Sequence, residues 1–312
     1  MKSNIKKLFQ KSLNIDSNFN ESEKNIPSSN EKLISTQLAH INEFNQQCSN
    51  IHIFPLGIRE NHSGNYSKYL ETCLTHISQL KDIKFEYALE DPNISKGVPS
   101  NLSSSKKKIL VLDLDETLVH ADFSEEFSNE KYDAIIKFKS KNEKNEIFED
   151  DDSTSSEIDD DEISVGIFER NGVKEFFEEV SKYFDVGIFT ASVKEYADAV
   201  ISFLDPENKF VKFRLYRNNC INFNDSFFVK DLRIFKNIDL RKIILIDNSM
   251  YSFAAQINNG ILINSFFNDK NDTELNNALE YLINYILPAE DVREVNENFF
   301  NFHQIINDLI NC

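Results

Sequence analysis

The chain has 312 residues, 40% of them hydrophobic, enough apolar material for one large or two modest domains. Its 34 basic and 52 acidic residues give a net charge of −18 and no clustered basic face, which argues against direct binding to a nucleic-acid backbone. Cys48, Cys73, Cys220 and Cys312 are scattered without CxxC spacing, so neither a zinc site nor a disulfide framework is expected, and a reducing compartment, nuclear or cytoplasmic, fits best.

No run approaches the ~18–20 apolar residues that span a bilayer, and the opening lacks the apolar core of a signal peptide. That opening is basic, with Ile5, Leu8, Phe9 and Leu13 at helical spacing, and reads as a frayed terminus before a targeting helix. Residues 1–105 form one region, rich in Asn and Ser and largely disordered by composition. Within it, Tyr66, Tyr69, Leu70, Cys73, Leu74, Ile77 and Leu80 recur at i, i+3, i+4 spacing and predict a helix over 66–80. Residues 91–105, with Pro, Gly and Ser, read as a linker.

From residue 106 to 312 the texture changes to strand-then-helix alternation. Residues 109–112 are continuously apolar, as a strand buried on both faces must be. Residues 133–138 and 163–168 are strands that can pair. A helix is expected over 173–184, a strand over 185–190, a helix over 194–204 stopped by Asp205-Pro206, and strands over 209–216, 242–247 and 260–266. Helices follow at 273–286 and 292–310. The pattern predicts an α/β fold: a doubly wound, mainly parallel sheet with helices on both faces. In such sheets ligands sit at the carboxyl ends of the strands, where Asp113, Thr190 and Asp247 fall.

The first apolar strand ends in "LDLDETLVH", with Asp113 and Asp115 one residue apart and Thr117 two further on. A bare DxD is most often a turn or a helix cap. Here later strands also end in polar residues, at "IFTAS" and "LIDNS", and "FVKDL" places a lysine between them. That set matches one chemistry. A carboxylate attacks phosphorus only when the phosphate charge is neutralised, which oxygen-ligated magnesium does. A second carboxylate, off the metal, protonates the leaving oxygen and later activates water. A hydroxyl and a lysine hold the remaining phosphoryl oxygens. Asp113, Asp115, Thr190, Lys230, Asp247 and Asn248 supply these groups, with an aspartyl phosphate between the two half-reactions.

"KILVLDLDETLVHA", "FDVGIFTASVKEYADAV", "FRLYRNNC", "FVKDLRIF" and "RKIILIDNSMYSFAAQINNGILINSFFND" together resemble the small C-terminal-domain phosphatases, NLI-interacting-factor-like members of the haloacid-dehalogenase superfamily. The resemblance runs from about residue 106 to 285. It implies a phosphoserine/phosphothreonine protein phosphatase that needs Mg2+, with phosphoprotein partners, the tail of RNA polymerase II among them. It implies Asp113 as nucleophile and metal ligand, and Asp115 as general acid/base lending its backbone carbonyl to the metal. Asn248 becomes the third metal ligand, and Thr190 and Lys230 bind phosphate. Asp247 orients Lys230 and Thr117 steadies the loop. Phe123, Val193 and Tyr196 match positions lining a substrate groove, and Arg217 matches an arginine near bound peptide. Two alternatives stand beside this: a catalytically silent phosphoprotein-binding module of the same fold, and a nuclear-envelope-type phosphatase of lipid-metabolism regulators.

The chain departs from the family in three places. Arg170-Asn171-Gly172 stands where Arg-Pro-Gly is frequent, and Met250 replaces a proline after Asp-Asn-Ser. Residues 142–162 hold 11 acids against one lysine, where the family has a short connection. Such a run is ordinarily a solvated loop; the sharper reading is an electrostatic gate against anionic substrates, with Thr154, Ser155 and Ser156 open to acid-directed kinases. A folded cap needs roughly 50 residues with apolar content. The acidic insert cannot supply a core, so no large cap domain and an open site are expected.

Overall fold

The structure, a computed structural model, describes residues 106–124, 131–139, 162–223, 227–236 and 238–300, with Val98, Leu102 and Phe302 beside them. The helix expected at 66–80, the rest of the N-terminal region apart from Val98 and Leu102, and the acidic insert before Glu162 lie outside the described residues. In chain order the strands are β1 (Lys108–Leu112), β2 (Val119–Asp122), β3 (Ala134–Lys139), β4 (Glu162–Glu169), β5 (Phe184–Phe189), β6 (Val211–Leu215), β7 (Ile221–Phe223), β8 (Phe227–Val229), β9 (Ile243–Asp247) and β10 (Gly260–Leu262). The α-helices are α1 (Val173–Tyr183), α2 (Lys194–Leu204), α3 (Glu274–Tyr281) and α4 (Val292–Phe300).

Five parallel strands form the main sheet in the order β10-β9-β1-β5-β6. The central three read KILVL, FDVGIF and IILID, and apart from Lys108 every position is buried. Burial on both faces explains why these strands lack polar alternation. Gly187 on β5 pairs with Phe213 on β6, and a Cβ there would come within 2.1 Å of that ring, so only glycine fits.

Helix α1 buries Val173, Phe176, Phe177 and Val180, the i, i+3, i+4, i+7 stripe of an amphipathic helix. It starts after Gly172 at φ 82, a left-handed conformation that glycine adopts without steric penalty. Helix α2 buries Tyr196, Ala197, Val200, Ile201 and Leu204. It ends where expected because the Asp205 carboxylate turns the chain, accepting from the N–H groups of Lys209, Phe210 and Val211 at 2.8, 3.0 and 2.9 Å. The single helix expected over 273–286 divides into α3 and a π-turn, Leu282–Ile286.

A second, antiparallel sheet has the order β2-β4-β3. The pairing of β3 with β4 follows the sequence expectation; β2 does not. Its four residues VHAD follow directly on the DxDxT loop and are too short to declare a period. Between Thr190 and Lys230 the chain makes more than the expected helix and strand. It adds a β7–β8 hairpin and a 3-10 turn at Arg217–Asn219. Among the described residues neither excursion is large enough to be a cap domain, and no helix is long and apolar enough to cross a membrane.

Strand β1 is flanked by β5 on one side and β9 on the other. The chain therefore reverses its direction of winding at β1, and the crevice lies beyond its carboxyl end. Asp113 follows β1, Thr190 follows β5, and Asp247 closes β9.

Candidate active site

Asp113, Asp115, Thr190, Lys230, Asp247 and Asn248 line one small cleft with room for about 80 Å3. Four strands, β1, β5, β8 and β9, deliver them. Asp113 continues the β1 ladder, its N–H donating to the Ile246 carbonyl at 3.0 Å, and Thr190 continues β5 by donating to Leu215 at 2.9 Å. Lys230 follows β8, anchored by its N–H to the Ser252 carbonyl at 2.7 Å.

The loop that follows the two aspartates turns sharply. Glu116 adopts φ 56, uncommon for a residue with a Cβ. It persists because both backbone groups are used: its N–H donates to Val119 at 2.7 Å and its carbonyl accepts from Phe266 at 2.8 Å. Its carboxylate meets His120 Nδ1 at 3.1 Å.

Asp113 is buried between a cation and a hydroxyl. Lys230 Nζ donates to its Oδ1 at 2.6 Å and Thr117 Oγ1 to its Oδ2 at 3.0 Å. Lys230 also donates to Asp247 Oδ2 at 2.5 Å, while Asp247 Oδ1 accepts from the Ser249 N–H at 2.8 Å. Burial opposes the charge on Lys230, but the Asp113 and Asp247 carboxylates outweigh it and hold the ammonium above the ordinary lysine value. Lys230 is thus a fixed cation, bridging two acids that could not otherwise share a dry site.

Asp115 has different partners. Tyr196 donates to its Oδ1 at 2.5 Å, Ser192 to its Oδ2 at 2.6 Å, and Thr190 stands 3.4 Å from the same oxygen. Burial pushes this carboxyl up to about 6, against the pull of the Ser192 and Tyr196 hydrogen bonds. A carboxyl in that range can donate and accept a proton near neutral pH.

The donor set suits a hard cation. Thr117 Oγ1 lies 3.0 Å from Asp113 Oδ2 and 3.5 Å from Asn248 Oδ1, so both oxygens approach the same point. Asn248 is oriented by donating its Nδ2 to Ser265 Oγ at 3.0 Å. Four carboxylates, Asp113, Asp115, Glu116 and Asp247, line the cleft with one lysine, an excess of negative charge that a dication offsets. Among the described residues no group of three His, Cys, Asp or Glu side chains is placed to hold a metal ion, so a cation here would draw on Asn248 and a backbone carbonyl as well.

The expected groove residues lie elsewhere. Tyr196 is fully buried, with its ring against Phe123 and Phe138 at centroid distances of 6.1 and 5.7 Å, and only its hydroxyl reaches the site. It supports Asp115 instead of lining a surface groove, because α2 packs on β3 and encloses the ring. Phe123 and Val193 are half-buried against the main core. Arg217 donates to the Ala191 carbonyl at 2.6 Å and stacks 5.3 Å from the Phe228 ring. None of these four lines the cleft; its aromatic wall is Phe227, Phe228 and Tyr251. Sequence reasoning missed that wall, as well as Ser192 and Ser265. The available signal was adjacency, since Phe227 and Phe228 lie just before Lys230, and Ser192 ends the "IFTAS" run.

Comparison with known proteins follows this geometry. The profile of the NLI interacting factor-like phosphatase family matches residues 108–293, more than half of the chain. The CTD small phosphatase-like protein 2 of Dictyostelium discoideum is 36% identical over 220 residues, 67% of this chain and 33% of its own length. Phosphatase PSR1 of Saccharomyces cerevisiae is 37% identical over 57% of this chain and 36% of its own. The CTD nuclear envelope phosphatase 1B of Danio rerio is 31% identical over 80% of this chain and 95% of its own. The matched part thus spans about a third of the first two relatives. The solved structure of Fcp1, an essential RNA polymerase II CTD phosphatase, is similar over 68% of this chain and 63% of its own, at 18% identity and a TM-score of 0.41. With the matched residues covering β1 through the start of α4, and with them the whole cleft, this chain belongs to the NLI interacting factor-like phosphatase family.

Proposed function

We propose that the chain is a magnesium-dependent protein phosphatase that hydrolyses phosphoserine and phosphothreonine through an aspartyl phosphate on Asp113. One observation carries this reading. Two aspartates separated by one residue face the same cleft, yet one is held by a lysine and the other by two hydroxyls. Equivalent side chains in different surroundings divide into nucleophile and acid/base.

Asp113, the Asp115 carbonyl and Asn248 would hold the metal. When bound, magnesium supplies the positive charge that lets an anionic phosphoryl group approach a carboxylate. The Asp113 carboxylate attacks phosphorus and the bond from phosphorus to the serine oxygen breaks. Lys230 and Thr190 hold the equatorial oxygens. Asp115 delivers its proton to the departing serine oxygen. Asp115 then takes a proton from water, which attacks the phosphorus of the aspartyl phosphate, releasing inorganic phosphate and restoring Asp113.

An open cleft without a large cap suits a side chain on a protein, and the name of the Dictyostelium discoideum relative, CTD small phosphatase-like, supports a phosphorylated C-terminal domain as a substrate class. A regulator at the nuclear envelope is the second reading, favoured by the Danio rerio relative, 95% of whose length is matched. The silent binding module is disfavoured by the presence of both Asp113 and Asp115. The test is turnover of a phosphoserine peptide by the purified chain with magnesium, its loss on chelation, and inhibition by beryllofluoride, which mimics an aspartyl phosphate. Tight phosphopeptide binding with no phosphate release would convert the proposal to the binding-module reading.

A further inference from the structure

Arg170 is fully buried, 0% exposed, one residue beyond β4. A buried charge is destabilising unless it is paired and hydrogen-bonded. Arg170 is paired: Nε and Nη2 donate in a fork to the two carboxylate oxygens of Asp272, each at 2.8 Å. Its remaining reach is spent on two carbonyls. Nη1 donates to Thr117 at 2.9 Å and Nη2 to Asn264 at 2.8 Å. The ring of Phe266 stacks 5.5 Å from the guanidinium carbon, and the Arg170 N–H binds the Leu118 carbonyl at 3.0 Å.

Those two carbonyls belong to the two loops that orient the metal-binding oxygens. Thr117 donates its hydroxyl to Asp113, and that hydroxyl also stands 3.5 Å from the amide oxygen of Asn248. Asn264 adjoins Ser265, whose Oγ accepts from the Asn248 amide. One planar group therefore ties the loop of Asp113 to the loop that aims Asn248, beside the Phe266 N–H to Glu116 carbonyl bond that also joins them. Replacing a buried ion pair by apolar residues is often neutral or stabilising, so stability alone is a weak reason to hold one here. The neighbouring departure from the family strengthens the same contact. Asn171, where proline is frequent, donates its amide to the Lys270 carbonyl at 2.7 Å, on the Asp272 loop, a bond that no proline can make.

We propose that Arg170, braced by Asp272, is a positioning residue that sets the separation of Asp113 and Asn248 and thereby the affinity of the site for magnesium. The proposal rests on the metal-dependent phosphatase reading. Lysine cannot replace arginine in this place, because a point charge reproduces neither the fork nor the planar reach to two carbonyls.

The experiment titrates magnesium into the full chain by calorimetry without substrate, and separately follows para-nitrophenyl phosphate turnover against magnesium concentration. Partners of metal ligands typically govern about 10–100-fold in affinity, so Arg170→Lys and Asp272→Asn are expected to raise the magnesium dissociation constant by about that factor. Their turnover should recover toward the wild-type rate at saturating magnesium. Ser265→Ala, which removes the hydroxyl that accepts from the Asn248 amide, should shift the same constant by less, and it serves with Asp272→Asn if Arg170→Lys does not fold. Unchanged magnesium affinity in these variants, with only a lowered melting temperature, overturns the positioning role. A wild-type chain that binds no magnesium overturns instead the phosphatase reading beneath it.

Discussion

The two walls of the cleft treat the same side chain in opposite ways. On the β8–β9 wall, Asp113 is clamped by a buried ammonium that Asp247 holds in place. On the β5–α2 wall, Asp115 meets neutral hydroxyls from Ser192 and Tyr196. The buried ammonium gives Asp113 a charged partner at one carboxylate oxygen. Neutral donors in a buried setting leave a carboxyl able to exchange its proton. The environment, more than residue identity, distinguishes the two carboxyls and supports the proposed division of roles.

The comparison can be broken most completely at Asp113. Asp113→Asn keeps the shape but removes the attacking oxygen anion, and phosphopeptide turnover should fall to background. Wild-type turnover in this variant would falsify the proposed mechanism outright.

Lys230→Met comes next, because it strips the β8–β9 wall of its cation. Removing one partner of a buried ion pair typically costs ~3–5 kcal/mol, so the variant should melt at lower temperature and lose turnover together. A thermal melt equal to the wild type would mean that Asp113 and Asp247 do not depend on Lys230 for their burial.

Asp115→Asn addresses the other wall and should be gentler on stability. General acid–base catalysis contributes ~10²–10⁴ in rate, a loss expected in full with phosphoserine peptide. With para-nitrophenyl phosphate, whose leaving group needs no proton, the first-step loss should shrink. Equal losses on both substrates would place the main role of Asp115 in the water-attack step they share, and undiminished turnover of both would place it outside proton transfer.

Tyr196→Phe is the finest cut. The ring still packs on Phe123 and Phe138, and only the hydroxyl on Asp115 is lost. Hydrogen bonds to charged groups are worth ~1.5–3 kcal/mol, so kcat for phosphopeptide should fall on the order of tenfold, with a smaller fall for the aryl phosphate. If kcat is unaltered while stability drops, Tyr196 belongs to the core alone.

Much of the catalytic inventory was open to reading along the chain. Asp113, Thr190 and Asp247 each end a continuous apolar run, and a strand buried on both faces has no polar period to hide such a residue. Helix α2 was delimited by its apolar stripe and by Asp205-Pro206. Shorter pieces escaped. Strands β2, β7 and β8 have three or four residues, below the length at which alternation can be distinguished from chance.

Other features exist only once the chain is folded. Tyr196 meets Asp115 across 81 residues, and Arg170 meets Asp272 across 102. No local spacing encodes such partners. A tyrosine on an apolar helix face reads as core whether or not its hydroxyl finds an acid, and an arginine beside a turn reads as surface until two loops close over it. Composition and order along the chain determine which groups reach the end of the sheet. Packing of α2 on β3, and of the 264–272 loop on the DxDxT turn, decides which groups support them, because burial and hydrogen bonding are properties of what surrounds a side chain.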